Sequence, residues 1–406
     1  MSAPAPAPAA PAAEFPVPQR SRTPRLLQRL QLAVALVLLV GGALTAWMIT
    51  DLRADLATAP VLAEQYARLG QVRHNLNSAA DLAARSVLAG EKADGEKARA
   101  ASAALGTAAG TLVDAAQARP EDAAALKALS TDMLGYAQLL GSAAGAPRAQ
   151  ALPLLTQADA RLATLLDGVA GVQSGLAEQA AARPLSQNNA LVLWPAILLL
   201  GVVVWVSWQV ARRSHRVLNL GLAGAALAVV LVASVGLNAQ NTAASASQVS
   251  RATQFTHVAT LATAVDELDH AQRVLTTATL EQAWSDTASG EYQDAFTAAS
   301  RAAATEKLPS LKGFDTAAKD LVGLLEKRDW AGAAKVLTAG QGLDAVASDV
   351  RAKAADKTGT ALATATAEPE AARTTLLIEL VLVVVLALAG AALGALGLAR
   401  RLQEYR

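Results

Sequence analysis

Four long apolar stretches divide the chain, at 32–49, 190–210, 217–237 and 375–398. A helix of about 20 apolar residues, rising about 1.5 Å per residue, crosses the hydrocarbon core of a bilayer, which is ~30 Å thick. The first stretch is longer than the apolar part of a typical signal peptide, so we interpret it as an uncleaved membrane helix. The pattern predicts an all-α integral membrane protein with four transmembrane helices.

The segment 211–216 (ARRSHR) between the second and third stretches is short and carries three arginines. Short loops rich in Lys and Arg stay in the cytoplasm, so this segment is predicted to be a cytoplasmic hairpin. A disordered Pro- and Ala-rich tail at 1–31 and a short tail at 399–406 fall on the same side. We therefore expect a multi-pass protein of the cell membrane with both termini in the cytoplasm.

The two intervening segments, 50–189 and 238–374, show the apolar spacing of helix bundles. In the first segment, Leu62, Leu69 and Leu76 recur at heptad spacing, which is typical of a helix packed in a bundle. Breaks divide this segment into helices at about 50–89, 92–118, 121–143 and 149–187. Both segments are predicted to be extracytoplasmic domains resembling four-helix bundles.

The second segment repeats this plan, which suggests an internal duplication of architecture, although residue similarity between the halves is weak. Its breaks are expected at Ser289 and Gly290, at Leu308 and Pro309, at Gly313, and at 340–342. A long last helix at about 343–373 would then lead into the fourth span.

Composition narrows the possible functions. The net charge of +1 argues against a nucleic-acid partner, which requires a basic surface, and the absence of cysteine excludes thiol chemistry. No motif of a hydrolase, zinc enzyme or phosphate-binding loop is found, and the four histidines are expected to face solvent. We predict no enzyme, no catalytic residue, no cofactor and no metal.

Charged residues cluster in the second segment at Asp266, Glu267 and Asp269, close to His270 and Arg273. A solvent-facing helix surface, with Asp269 paired to Arg273 one turn later, is the favoured interpretation. A ligand or partner site is the alternative.

Within the spans, Glu379 is a carboxylate about one turn inside the outer end of the fourth stretch. It either reaches water or forms a structural pair, or it serves as a switch or ion site. Gly390 and Gly394 form a small-residue face for close helix packing, either within the chain or between copies. Trp194, Trp205 and Trp208 are expected to anchor the second span at the membrane interfaces.

Aromatic residues concentrate in the second extracytoplasmic segment. Trp284, Tyr292 and Trp330 are therefore the candidate extracytoplasmic contacts. Ordinary core packing of these side chains is the favoured alternative.

The hairpin sequence RRSHRVLN (212–219) and the C-terminal sequence LQEYR (402–406) resemble those of the actinobacterial GlnX-type membrane proteins. The four-span layout with two helical ectodomains is also similar to that family. The resemblance implies a protein that stands between an extracytoplasmic solute-binding lipoprotein of the GlnH type and a cytoplasmic Ser/Thr kinase of the PknG type. It would report amino-acid availability across the membrane.

These observations favour a non-enzymatic transmembrane signal relay. The predicted cytoplasmic parts leave no room for a catalytic domain, so a relay would need a cytoplasmic partner. The candidate contacts with this partner are Arg212, Arg213, Arg216 and Tyr405. A scaffolding protein of the envelope, or a sensor related to chemoreceptors but without an output domain, is the alternative. A transporter is disfavoured, since Glu379 is the single charge within the spans and no pair of broken helices meets at the midplane.

Overall fold

The computed structural model describes residues 23–90, 95–182, 188, 190–214, 220–339 and 342–404. Every regular element in this part of the chain is a helix, and no strand occurs there. The helices are α1 (Thr23–Leu88), α2 (Glu96–Ala118), α3 (Ala123–Ala143), α4 (Arg148–Ala181), α5 (Ala190–Ser214), α6 (Leu220–Ser247), α7 (Phe255–Glu281), α8 (Asp286–Thr305), α9 (Lys312–Glu326), α10 (Trp330–Ala339) and α11 (Leu343–Glu404). A π-helical segment, Gln248–Gln254, joins α6 to α7.

Among the described residues, four helical runs contain a segment that is long and apolar enough to cross a membrane. They lie within Gln28–Leu88, Val192–Arg212, Leu220–Glu281 and Leu343–Gly397. The prediction of an all-α protein with four candidate membrane helices is confirmed, and the protein is consistent with a multi-pass membrane location.

The described residues form two compact units. The span unit comprises the residues up to Ile49, Asn188–Asn238, and the residues from Ile378 onward. The head unit comprises Thr50–Gln187 and Ala239–Leu377. The continuous helices α1 and α11 contribute residues to both units.

The span unit is held together by close helix packing at small residues. A Cβ atom placed on Gly390 of α11 would lie 2.5 Å from the Cβ of Ala228 on α6, and one on Gly394 would lie 3.0 Å from Val34 on α1. Glycine at these positions lets the backbones approach, as expected for small-residue faces in membranes. Both glycines therefore pack within the chain, which was one of the two predicted alternatives.

The head unit contains two apolar cores. The first is built from α1 to α4, with Phe255 and Leu280 of α7 added to it. The second is built from α7 to α11. Leu62, Leu69 and Leu76 are buried in the first core, as their heptad spacing predicts. The two segments predicted as separate bundles thus lie in one compact unit, in which α7 contributes to both cores.

The second segment divides differently from the prediction. Ser289 and Gly290 lie inside α8, and the preceding helix ends at Gln282, which has a left-handed φ of 56°. The Ser285 hydroxyl then accepts a hydrogen bond from the backbone N–H of Ala288 (3.2 Å) and caps α8. A helix tolerates a single glycine at a modest free-energy cost, whereas the cap and the left-handed residue mark the real boundary.

A further break separates α9 from α10, where Arg328 has a left-handed φ of 56°. As far as it is described, the segment from α7 to α11 therefore has five helices. No sequence signal of the glycine or proline type marks this boundary, which explains why the sequence pattern does not predict it.

Candidate functional site

Buried and half-buried polar side chains lie together in the head unit where α1, α7 and α11 meet. We call this set the interhelix polar network. Its members are Arg73, His74, Asp81 and Arg85 on α1, Asp266, Asp269, Gln272 and Thr276 on α7, and Asp344 and Arg351 on α11.

Asp269 is the centre of the first part of the network. Its Oδ1 accepts hydrogen bonds from Arg351 Nε (2.9 Å) and Nη2 (2.5 Å), and its Oδ2 lies 2.5 Å from His74 Nδ1. The residue is only 3% exposed. A carboxylate this deeply buried requires such partners, because an unpaired charge in a protein interior costs several kcal/mol, on the order of 3–5 when one partner is removed.

This arrangement corrects the prediction for the acidic cluster. Asp269 does not lie on a solvent-facing surface, and its partner is Arg351 rather than Arg273. Arg273 instead lies 3.7 Å from Asp159 of α4 and donates a hydrogen bond to His270 (3.0 Å). The face of α7 that carries Asp269 is covered by α1 and α11, which places the carboxylate inside the unit.

Asp266 is also paired with another helix, because its Oδ2 accepts a hydrogen bond from Arg73 Nη2 of α1 at 2.5 Å. Its Oδ1 accepts a second bond from Asn77 (3.2 Å). Burial raises the pKa of Asp266, and the neighbouring Arg73 opposes that shift. Both acids of the pair thus bind residues of α1.

Arg85 is the centre of the second part. It is 4% exposed and lies between two carboxylates, 2.9 Å from Asp81 and 2.6 Å from Asp344. Asp81 also accepts a hydrogen bond of 2.6 Å from the hydroxyl of Thr276. Burial raises the pKa of the Asp81 carboxyl, while Arg85 acts in the opposite direction.

Gln272 links the two parts. Its Oε1 accepts a hydrogen bond from Arg351 Nη2 (2.9 Å), and its Nε2 donates one to Asp344 Oδ1 (2.7 Å). An amide suits this position because it offers an acceptor to the arginine and a donor to the carboxylate. Through Gln272 the network is continuous from Asp269 to Arg85.

Helical spacing accounts for the alignment of these side chains. On α7, Asp266, Asp269, Gln272 and Thr276 follow one another at three- or four-residue intervals and therefore share one face. The apolar residues Leu268 and Leu275 are fully buried on α7 between them. The signal in the sequence is thus a polar stripe that runs beside an apolar one.

The network retains unused hydrogen-bonding capacity. Among the described residues, the Nε of Arg73, the Nη2 of Arg85 and the Oδ1 of Asn77 are buried and have no hydrogen-bond partner. A fully satisfied network rigidifies a core, so these open positions leave this network less constrained.

The histidines, which the sequence predicted to face solvent, differ in their exposure. His257 is exposed and lies 2.9 Å from Glu306, whereas His74 is half-buried in the network. Burial, with a contribution from Arg273, lowers the pKa of His270 to about 4. His215 lies outside the described residues. Within the described ranges, no group of three or more His, Asp and Glu residues has the geometry of a metal site.

The predicted extracytoplasmic contacts lie against the second core. Trp284 and Trp330 are half-buried and pack on it, while Tyr292 is 7% exposed and stacks on Phe296 with ring centroids 6.0 Å apart. Tyr292 therefore does not offer its ring to a partner, because it lies on the inward face of α8.

The predicted residues of the span unit are partly described. Glu379 is 7% exposed and accepts a hydrogen bond from Asn238 of α6, which fits the structural pair among the predicted alternatives. Arg212 is exposed at the end of α5 and Arg213 lies in the same turn. Arg216 and Tyr405 lie outside the described residues.

Comparison with protein-family models, with curated proteins and with solved structures gives no match to this chain. The likeness to GlnX-type proteins therefore stays a prediction from the short sequences that suggested it.

Proposed function

We propose that the protein is a non-enzymatic transmembrane relay that couples an extracytoplasmic solute, or a protein that binds one, to a cytoplasmic Ser/Thr kinase pathway. The observation that carries this proposal is the interhelix polar network, centred on Asp269. Two of its three helices, α1 and α11, also contain candidate membrane spans.

A relay requires an element with two arrangements, between which an external ligand selects. Ion pairs suit this role, because an arginine such as Arg85, placed between Asp81 and Asp344, can shift from one to the other. The carboxylate that it leaves keeps a hydrogen bond, from Thr276 on Asp81 or from Gln272 on Asp344. An apolar core offers no such choice of partners. The unused donors of Arg73 and Arg85 support the same interpretation.

Orientation in the proposal follows from the distribution of arginine. The segments 1–31, 211–216 and 399–406 carry arginines and almost no acids, which favours the cytoplasmic side. The head unit then lies outside and is available to a solute-binding lipoprotein. Its half-buried Trp284 and Trp330 are the proposed outer contacts, and Arg212, Arg213, Arg216 and Tyr405 are the proposed inner ones.

A scaffolding protein is the second candidate, and one observation favours it. Buried ion pairs with short distances, such as Arg351 with Asp269 at 2.5 Å, also rigidify an interface. A rigid head unit would hold envelope partners in place without signalling. A chemoreceptor-like sensor without an output domain would transmit a signal as the relay does, but to a different cytoplasmic partner.

The partners are tested by crosslinking the tagged full-length protein in native membranes and identifying captured proteins by mass spectrometry. The relay predicts recovery of both a solute-binding lipoprotein and a Ser/Thr kinase. Replacing Arg212 and Arg213 with glutamine should remove the kinase and leave the lipoprotein. Recovery of structural envelope proteins alone would favour the scaffold.

Conformational coupling is tested without knowledge of the ligand. The chain has no cysteine, so spin labels can be attached at Gln28→Cys and Arg400→Cys, two exposed positions of α1 and α11. The relay predicts that Asp269→Asn changes the distance distribution between these labels in nanodiscs. The control Asp349→Asn, at an exposed position of α11, should not change it. An unchanged distribution in both variants would contradict the relay.

A further inference from the structure

One end of the span unit carries exposed tryptophans and exposed arginines together. Trp205 and Trp208, near the end of α5, are each 53% exposed. Arg212, one turn later, and Arg29, near the start of α1, are also exposed. Exposed tryptophan in a membrane-spanning bundle is typical of the layer where lipid headgroups begin.

Packing within the span unit places Arg29 and Arg212 at the same end. A Cβ on Gly41 of α1 would contact Leu199 of α5, and one on Gly236 of α6 would contact Thr45 and Val192. The helices α1 and α5 are therefore antiparallel. The same number of residues separates Gly41 from Leu30 on α1 and Leu199 from Val210 on α5. Leu30 and Val210 are both buried in one apolar cluster.

The guanidinium of Arg212 lies over the ring of Trp208, with its carbon 5.3 Å from the ring centroid. A guanidinium in such a cation–π contact still has N–H donors at its edge, which match the oxygens of a phosphate. The indole also limits the motion of the long side chain, which lowers the entropy lost on binding.

The chain provides few carboxylates to neutralise these cations. No Asp or Glu occurs in 15–50 or in 179–265, and 380–406 contains only Glu404. The positive charge at this end of the span unit is therefore complementary to an external anion.

The choice of cation is informative as well. The segments 1–31, 211–216 and 399–406 contain ten arginines and no lysine, whereas all ten lysines of the chain lie in 92–357. Lysine would satisfy the positive-inside preference equally well. Arginine alone offers the planar pair of donors that binds phosphate in a bidentate manner.

We propose that Arg212, held over the ring of Trp208, forms together with Arg29 a binding site for the phosphate of an anionic phospholipid headgroup. The lipid chains would lie along the exposed apolar surface of α5 beside Trp205. This inference depends on the span unit lying in a membrane. It shares Arg212 with the proposed inner contacts of the relay, but its test contains no kinase, so each proposal can fail without the other.

The test uses the full-length protein in nanodiscs, with Trp208 as the single tryptophan and the other five replaced by phenylalanine. Quenching of its fluorescence by brominated phosphatidylglycerol is compared with quenching by brominated phosphatidylcholine. Each basic residue near a membrane surface contributes about 1 kcal/mol, which corresponds to about a five-fold preference for the anionic lipid. We expect a preference of at least this size.

Three variants separate the site from general charge attraction. Arg212→Gln should reduce the preference about five-fold, and Arg212→Lys should reduce it by a smaller but measurable factor because the charge remains. Arg99→Gln, which removes an exposed charge of α2 in the head unit, should leave it unchanged. Circular dichroism of each variant shows whether it is folded.

Equal preference in wild type and Arg212→Gln would overturn the proposal. If Arg212→Lys retained the full preference for the anionic lipid, positive charge alone would explain that preference. This result would also overturn the proposal. If inorganic phosphate at millimolar concentration abolished the preference, the site would belong to a soluble anion rather than a lipid.

Discussion

His74 on α1 and Asp269 on α7 lie 2.5 Å apart, between His74 Nδ1 and Asp269 Oδ2, although 195 positions separate them in the sequence. The opposite oxygen of the same carboxylate binds Arg351 of α11. One side chain thus joins the first half of the head unit to the beginning and the end of the second half.

Replacing Asp269 with alanine should destabilise the protein by about 3–5 kcal/mol, because Arg351 and His74 would lose the carboxylate that compensates their burial. The measurement is the midpoint of thermal unfolding in detergent micelles, followed by circular dichroism. The matched control Asp349→Ala, at an exposed site of α11, should change stability by less than about 0.5 kcal/mol. Equal effects of the two substitutions would show that the network contributes little.

Gln272 should couple the two parts of the network. A double-mutant cycle between Arg351→Met and Asp344→Asn should give a coupling free energy of about 0.5–3 kcal/mol in the wild-type background. In a Gln272→Leu background the coupling should fall close to zero, because the amide is the common partner of both residues. Coupling that survives in the Gln272→Leu background would mean that the two parts communicate by another route.

Acidification should destabilise the head unit through His270. Its pKa is lowered from 6.5 to about 4 in the folded protein, so the unfolded chain binds a proton more readily between these values. Stability from this group is complete above pH 6.5 and is lost as the pH falls towards 4. After allowance for partial exposure, the loss is about 1–2 kcal/mol.

His270→Asn isolates this contribution, because the buried acids Asp81 and Asp266 have raised pKa values and act in the opposite direction. Wild type should lose stability relative to His270→Asn as the pH decreases from 7 to 4. The unfolding free energy of wild type minus that of the variant should therefore fall over this range. A difference that stays constant with pH would contradict the assignment.

Close packing in the span unit predicts a strong contrast between two glycines. Gly390→Ala should cost about 1–3 kcal/mol, because its Cβ would lie 2.5 Å from that of Ala228. Gly201→Ala, on α5, should be neutral or stabilising, since no atom lies within 4 Å of its Cβ position. Thermal unfolding in bicelles measures both, and equal stability of the two variants would argue against this helix contact.

For the acidic cluster, the sequence predicted the helix face correctly but not its burial. Helical periodicity correctly placed Asp266 and Asp269 on one face of a helix, and the spacing of Leu62, Leu69 and Leu76 correctly identified a buried stripe. The sequence could not tell that the acidic face is covered, because the partners Arg73 and Arg351 lie far away along the chain. Local pairing with Arg273 was the simpler expectation and proved wrong.

The sequence by itself determined the helical class and the four candidate membrane helices, because both depend on properties of short segments: apolar length, helical periodicity and helix propensity. It also showed which segments carry arginine without compensating acids. Only the tertiary structure decided which polar residues are buried, that α7 contributes to both cores, and that Gly390 packs against α6 within the chain. These features depend on contacts between residues distant in sequence, and an isolated helix face holds no information about what covers it.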